Sequence, residues 1–182
     1  MSFPILETER LILRQLRHED AVDLFDYFSK DEVTEFYDLD SFTELKQAEE
    51  LIENWNEKFN NSLTIRWGIA LKSEGRIIGT CGFHKWVKKH FKAEIGYELS
   101  PRYWRQGYMK EAIDTVMKYG FEVLELNRIE ALIHSGNTSS QKVLEKTGFK
   151  EEGLLKEYFY EKKRFIDAVI FSKLKKDNNN AR

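Results

Sequence analysis

The 182-residue sequence has one cysteine, two prolines and almost no charge imbalance, with 29 Lys+Arg against 31 Asp+Glu for a formal charge of -2. A single cysteine, Cys81, excludes an internal disulfide and a Cys-rich metal site. Its place in an apolar, strand-like run reads as a buried inert thiol in preference to a nucleophile. The four histidines show no metal-ligand spacing, so no metal is expected. Balanced charge gives no global electrostatic reason to bind nucleic acid or an acidic membrane. No apolar run approaches the ~20 residues that cross a bilayer. The start, Met-Ser-Phe-Pro-Ile-Leu-Glu-Thr-Glu, lacks the basic-then-apolar form of a signal peptide. The expectation is a cytoplasmic protein with neither nucleic acid nor membrane as a partner.

What is present is 41% hydrophobic and 33% charged residues, the composition of a folded globular chain. The length suits a single domain, with a core over about 7–174 and a polar tail over 175–182. Arg10-Leu-Ile-Leu-Arg14 reads as a first strand. Ala21, Leu24, Phe25 and Phe28 share one side of a helix over Asp20 to Ser29. Asp31 to Phe42, acidic and aromatic, has no clean period and reads as a loop or short helices, a candidate for substrate contact. Ser41-Phe-Thr-Glu44 matches a capping box ahead of a helix whose stripe of Leu45, Ala48, Ile52, Trp55 and Phe59 reads as core packing.

From Ser62 the period becomes two. Ile65, Trp67, Ile69 and Leu71 mark a strand, Lys72-Ser-Glu-Gly75 a turn, and Arg76 to Phe83 the returning strand of a hairpin. A polar connection, Val87 to Lys92, leads to a strand from Ala93 to Leu99. Beyond a helix over Tyr108 to Leu124 come a strand, Arg128 to Ile133, a loop, His134 to Ser140, and a short helix closing at Gly148. Two strand-like runs, Phe149 to Tyr160 and Arg164 to Leu174, hinge at Glu161-Lys-Lys163, and Lys175 to Arg182 reads as a frayed tail. This order predicts an α/β (α+β) fold, a mixed and mostly antiparallel central sheet with helices on both faces.

The stretch with chemical content is Ser100-Pro-Arg-Tyr-Trp-Arg-Gln-Gly-Tyr-Met-Lys-Glu-Ala112. A strand that breaks at Pro101 and reopens as a helix at Gly107 leaves backbone N–H groups unpartnered at a helix N-terminus. Those donors, with the positive end of the helix dipole, suit a phosphate or pyrophosphate. The helix connects two neighbouring strands as a crossover, so the turn lies at the carboxyl end of a strand, where ligands bind in such sheets.

A second loop, Asn137-Thr-Ser-Ser140 followed by Glu145-Lys-Thr-Gly-Phe149, completes a pattern. Together these segments resemble the GNAT superfamily of acetyl-CoA-dependent N-acetyltransferases. Glu94-Ile-Gly-Tyr, Trp104-Arg-Gln-Gly-Tyr-Met-Lys-Glu-Ala112, Thr8-Glu-Arg-Leu-Ile-Leu-Arg14 and Arg164-Phe-Ile-Asp167 look like its RimJ/RimL-type branch. The resemblance runs from about Glu7 to Leu174. It implies the GNAT-like acyl-CoA N-acyltransferase fold and acetyl-CoA as cofactor. It implies that Trp104, Arg105, Gln106, Gly107, Tyr108 and Met109 form the pyrophosphate loop, with Trp104 and Met109 departing from the family's pattern of residue types. It further implies that the pantetheine arm lies along Tyr97, Glu98 and Leu99, that Asn137 bonds that arm, and that Ser140 lies near the thioester sulfur. From the residues alone, Asn137 and Ser140 also serve as helix caps.

Acetyl transfer requires the acceptor ammonium to lose a proton. Glu94, Gly96 and Glu98 share one strand face, opposite Ile95, Tyr97 and Leu99. Glu94 and Glu98 are therefore candidates for base or amine-binding acid, against a plain solvated strand face; Glu157 is a third. Backbone N–H groups along Tyr97–Leu99 suffice as oxyanion donors. The leaving thiolate, with a thiol pKa of ~8.5, can take its proton from Ser140, from a tyrosine such as Tyr158, or from solvent. Trp67 and Trp86 read as packing before acceptor-pocket lining, and His84 as a surface histidine before a base.

The acceptor amine is a protein N-terminus, as the ribosomal-protein-acetylating members of the branch imply, or a small molecule such as a polyamine, an amino acid or an aminoglycoside. Asp31, Glu32, Glu35, Asp38 and Asp40 would draw cationic acceptors, though a loop facing only water explains them equally. A non-catalytic CoA-binding module on the same scaffold is the alternative class. A homo-oligomer stays open.

Overall fold

Alternating apolar residues and the turns between them give eight strands. They are β1 (Leu6–Glu7), β2 (Leu11–Arg14), β3 (Ile65–Leu71), β4 (Ile77–Val87), β5 (Lys92–Leu99), β6 (Arg128–His134), β7 (Lys150–Glu161) and β8 (Arg164–Leu174). The computed structural model describes residues 2–179, and within them these strands form one sheet in the order β1-β2-β3-β4-β5-β6-β8-β7. Every neighbouring pair is antiparallel except β5 and β6, which run parallel. The helices are α1 (Ala21–Phe28), α2 (Asp31–Thr34), α3 (Leu45–Asn60), α4 (Tyr108–Glu122), α5 (Thr138–Lys146) and α6 (Lys175–Asn179). The mixed, mostly antiparallel sheet with helices is the expected fold class.

The two faces of the sheet carry separate cores. On one, Trp67, Ile69, Cys81, Phe83 and Ile95 pack against Ile113, Val116, Met117 and Phe121 of α4 and Leu144 of α5. On the other, Ala70 and Ile77 pack under Leu24 and Phe28 of α1 and Ala48 and Ile52 of α3. Covered on both sides, β3 is buried at all seven positions, including Arg66. Trp67 lies in the core with its indole N–H on the Pro4 carbonyl at 2.9 Å, not at an acceptor pocket.

Three local expectations are corrected. The box ahead of α3 lies three residues further on, with Glu44 as cap and Gln47 as its partner, because Ser41 is drawn to Asp31 and Thr34. Residues 175–179 continue from β8 as α6, so the start of the tail is helical, and 180–182 lie outside the described residues. The sheet also gains β1, too short to show a period.

The opening motif has a structural task. Arg10 bonds both carboxylate oxygens of Glu111 in the first turn of α4, through its backbone N–H at 3.1 Å and its side-chain Nε at 2.7 Å. Thr8 donates to the same carboxylate. Arg10 also reaches the Gln106 carbonyl at 3.0 Å and lies 4.2 Å over the Tyr108 ring. The first strands thereby fix the loop that precedes α4.

Candidate active site

β5 and β6 are paired over only three residue pairs, Lys92–Arg128, Ala93–Ile129 and Glu94–Glu130. Beyond Glu94 β5 stays paired to β4 as far as Leu99, while β6 stays paired to β8 along its whole length. The strands part and leave a wedge open at their carboxyl ends. The Ser100 N–H donates back to the Ile78 carbonyl at 2.7 Å, toward β4. Strand alternation then turns the peptide groups of Leu99 and Tyr97 the other way, into the wedge. Trp104 takes one of them, its indole N–H donating to the Leu99 carbonyl at 2.8 Å. The remainder is an unfilled strand edge, able to accept an extended, amide-bearing ligand as an added strand.

At the mouth of the wedge the loop after β5 turns twice through left-handed backbone, at Arg105 (φ 62°) and Gly107 (φ 83°). The first bond of α4 runs from the Glu111 N–H to the Gly107 carbonyl at 3.1 Å. The amides of Arg105, Gln106, Gly107, Tyr108, Met109 and Lys110 thus have no protein acceptor among the described residues. Six such donors at the positive end of a 15-residue helix fit a diphosphate. The Met109 side chain is buried in the core, so its contribution here comes from its backbone amide, and its size does not crowd the loop.

On the far side of the wedge α5 begins at Asn137, whose side-chain carbonyl accepts from the Ser140 N–H at 3.1 Å. With the oxygen occupied by the cap, the amide NH2 of Asn137 is the group left for a ligand. The Ser140 hydroxyl meets the Tyr97 hydroxyl at 2.6 Å, bridging the two walls. Burial pushes the Tyr97 hydroxyl well up, against the opposing bond to Ser140, so it stays protonated. Asn137→Ala should remove a cap worth about 1 kcal/mol. For a chain of this size that lowers Tm by roughly 2–4 °C, and calorimetric titration should show weaker acetyl-CoA binding as well.

The opposite face of β5 shows where the expected acids go. Glu98 is enclosed. It pairs with Arg66 and accepts from Thr80, from Tyr27 at 3.1 Å and from Tyr37 at 3.2 Å. Arg66 in turn donates through Nε to Thr80 at 2.7 Å and lies 5.1 Å from the Trp55 ring. Burial and the Glu98 charge push the Tyr27 hydroxyl well up, leaving it a donor. Glu98 thus sits in a closed network instead of facing a substrate.

Glu94 is different. Its carboxylate meets His84 Nε2 at 2.8 Å and Lys85 Nζ at 2.9 Å. Burial raises its pKa, but the bonds from His84 and Lys85 outweigh that and hold the carboxyl below its ordinary range. Glu94 also lines a cavity of about 250 Å3 with Lys85, Lys92, Glu130, Leu155 and Tyr158. Glu157 lies exposed in the adjoining bulge of β7, where its N–H donates to Asp167 at 2.7 Å.

Sequence reasoning missed Arg66, Tyr27 and Tyr37, which hold Glu98, and a latch over the outer end. There His134 Nε2 meets Glu161 at 2.7 Å, both buried, and Lys162 donates to the Thr34 carbonyl at 2.7 Å. The latch fastens the β7–β8 turn to α2. The acidic residues Asp31, Glu32, Glu35, Asp38 and Asp40 are all exposed. Cys81 is buried and its thiol is pushed up to about 12, chiefly by burial. Among the described residues no cluster of His, Cys, Asp or Glu could hold a metal, and no helix is long and apolar enough to cross a membrane.

A split parallel pair, a free strand edge and a loop of unpartnered amides at one helix start fit an acyl-CoA-dependent transferase. Residues 10–150 match the family described as acetyltransferase (GNAT) domain, and the chain belongs to that family of N-acetyltransferases, enzymes that use acetyl-CoA. It is 43% identical over 173 residues to the uncharacterized N-acetyltransferase YoaA of Bacillus subtilis, covering 95% of this chain and 98% of that one. It is 41% identical to the uncharacterized N-acetyltransferase p20 of Bacillus licheniformis, over 94% of this chain and 97% of that protein. The ribosomal-protein-S5-alanine acetyltransferase of Vibrio fischeri superposes with a TM-score of 0.82 at 26% identity, covering 96% of this chain and 98% of that one.

Proposed function

We propose that the enzyme transfers acetyl directly to a primary amine, and that the acceptor is the N-terminal amine of a protein of the ribosomal type. The observation that carries the direct-transfer reading is the wedge. It brings a free strand edge, the diphosphate loop and the Tyr97–Ser140 hydroxyl pair to one opening. The elevated Cys81 thiol argues against a cysteinyl intermediate, because a buried thiol at about 12 supplies no thiolate. The protein-acceptor reading draws on the description of the Vibrio fischeri structure.

When bound, acetyl-CoA supplies the acyl group as a thioester. In our reading the amides of the Arg105–Lys110 turn hold its diphosphate, the peptide groups of Tyr97 and Leu99 align its arm, and the Asn137 NH2 bonds the same arm. The wedge amides face the acyl oxygen. Tyr97, which keeps its proton, donates to Ser140, and the Ser140 hydroxyl supplies a proton toward the sulfur. Glu94, with one oxygen on His84 and the other on Lys85, marks the acceptor side of β5. Glu98 keeps Arg66, Tyr27 and Tyr37 in place as the wall of the acceptor side.

A small amine is the second reading, favoured by the size of the cavity of about 250 Å3 beside Glu94, although its two carboxylates are paired, Glu94 with Lys85 and Glu130 with Lys92. Thiol release from acetyl-CoA should be measured with a peptide bearing a free N-terminal alanine, spermidine, lysine and an aminoglycoside. The peptide is expected to raise thiol release most. A faster small amine would replace the protein-acceptor reading, and binding of acetyl-CoA with no release by any amine would favour a non-catalytic module.

A further inference from the structure

The middle of β5 carries a feature that the acids on either side of it do not explain. Gly96 shares their face and is partly open to solvent. A Cβ built there would lie 2.7 Å from His84 Nδ1 and 2.8 Å from Arg66 Nη1. Two side chains from two different strands therefore close over Gly96 and fill the space that a side chain would need. The position is one strand residue from Tyr97, whose peptide group opens into the wedge.

The chemistry of the two nitrogens separates them. A guanidinium only donates, and it holds its charge throughout the working pH range. Arg66 Nη1 has no protein acceptor among the described residues, although the side chain is 4% exposed. Of the two nitrogens only His84 Nδ1 can accept a proton. Its availability follows from the other side of the ring. Glu94 accepts from Lys85 and is ionised, so it can only accept from His84. In the neutral ring Nε2 therefore carries the hydrogen and Nδ1 the lone pair. The carboxylate orients the imidazole and fixes its tautomer, as a carboxylate does for a catalytic histidine in other hydrogen-bonded pairs. The ring is 39% exposed, which leaves it a route to return its proton to solvent.

We propose that His84 is the general base, the Nδ1 of its half-exposed ring taking a proton from the acceptor ammonium, with Glu94 as the positioning residue. This rests on the reading of the acceptor as a primary amine. The ammonium gives one proton to Nδ1. The freed lone pair forms the C–N bond as the C–S pair passes to sulfur, and a second nitrogen proton ends on that sulfur through Ser140. His84 then releases its proton to water. The charged groups around the ring are Glu94 on β5, Lys85 beside it on β4, and Arg66 on β3.

The test uses the full chain as His84→Gln and Glu94→Gln, with the N-terminal alanine peptide and spermidine as acceptor probes. His84→Gln should bind acetyl-CoA within roughly threefold of the unaltered enzyme. Its kcat near neutral pH should fall by about 100-fold or more. At about pH 9.5, where an α-amine with pKa ~8 arrives deprotonated, that deficit should close for the peptide. A merely structural role would depress the rate at every pH. Long-range 1H–15N NMR of the unaltered enzyme at the same pH should show hydrogen on Nε2 and none on Nδ1 of His84, with the preference lost in Glu94→Gln. Unchanged kcat in His84→Gln, or a hydrogen on Nδ1, overturns the assignment. If the unaltered enzyme acetylates neither probe, the amine reading fails on its own, and the NMR result still decides the state of His84.

Discussion

Gly107→Pro is expected to abolish measurable acetyl-CoA binding while leaving the sheet folded. Gly107 sits at φ 83°, and proline is confined near -65°. The exchange removes one of the six free amides and biases Gln106 toward extended backbone, re-aiming the others. An added Cβ would meet only Arg10 Nη2, at 3.4 Å, so the damage comes from the backbone and not from crowding. Gly107→Ala separates these effects, since it keeps the N–H and carries only the left-handed penalty of about 1–2 kcal/mol. Calorimetric titration should show a loss beyond 100-fold for proline, roughly the removal of 3 kcal/mol, and a much smaller one for alanine. Affinity retained by the proline variant would remove this loop from the diphosphate site.

Glu98→Gln is expected to destabilise the fold strongly. The change leaves the Arg66 guanidinium buried without its anion, and breaking one member of a buried pair costs about 3–5 kcal/mol. For a domain of this size that is a drop in Tm of roughly 10 °C. Replacing one carboxylate oxygen with an amide nitrogen also turns an acceptor for Tyr27, Tyr37 or Thr80 into a donor facing a donor. Thermal melts of the variant and the unaltered chain measure the difference. A Tm within about 2 °C would mean that the network tolerates a neutral centre, and would return Glu98 to consideration as a titrating group.

The fold was legible because its periods were clean. β3, β4, β5 and α4 fall within a few residues of their sequence boundaries, and Gly107 announced the start of α4. The turn before α4 was legible for a related reason, since Pro101 ends one element and Gly107 opens the next, but the glycine alone says little about what the turn binds. The acids were less so. Alternation puts Glu94 and Glu98 on one face without saying what stands opposite. A signal for Glu98 was available in Ile65-Arg-Trp-Gly-Ile69, because a charged residue inside an apolar strand requires a counter-ion on the same face of a neighbour. His84 was unreadable in this way, because it meets Glu94 across a bulge between Phe83 and Lys85 that shifts the register of β4 against β5. The hydroxyl pair of Tyr97 and Ser140 spans 43 positions and depends on how far two strands diverge, which no local pattern encodes.

That divergence also has a consequence for how the molecule holds together. With three residue pairs joining β5 to β6, the sheet is two slabs, β1–β5 and β6–β8–β7, stitched along a short seam and braced by α4 and α5. A ligand lying along the free edge of β5 while touching α5 acts as mortar between the slabs. Its binding energy is then drawn on by the folded state as a whole, rising as the logarithm of ligand concentration above Kd. Acetyl-CoA bound along that edge is therefore expected to raise the melting temperature of the whole fold.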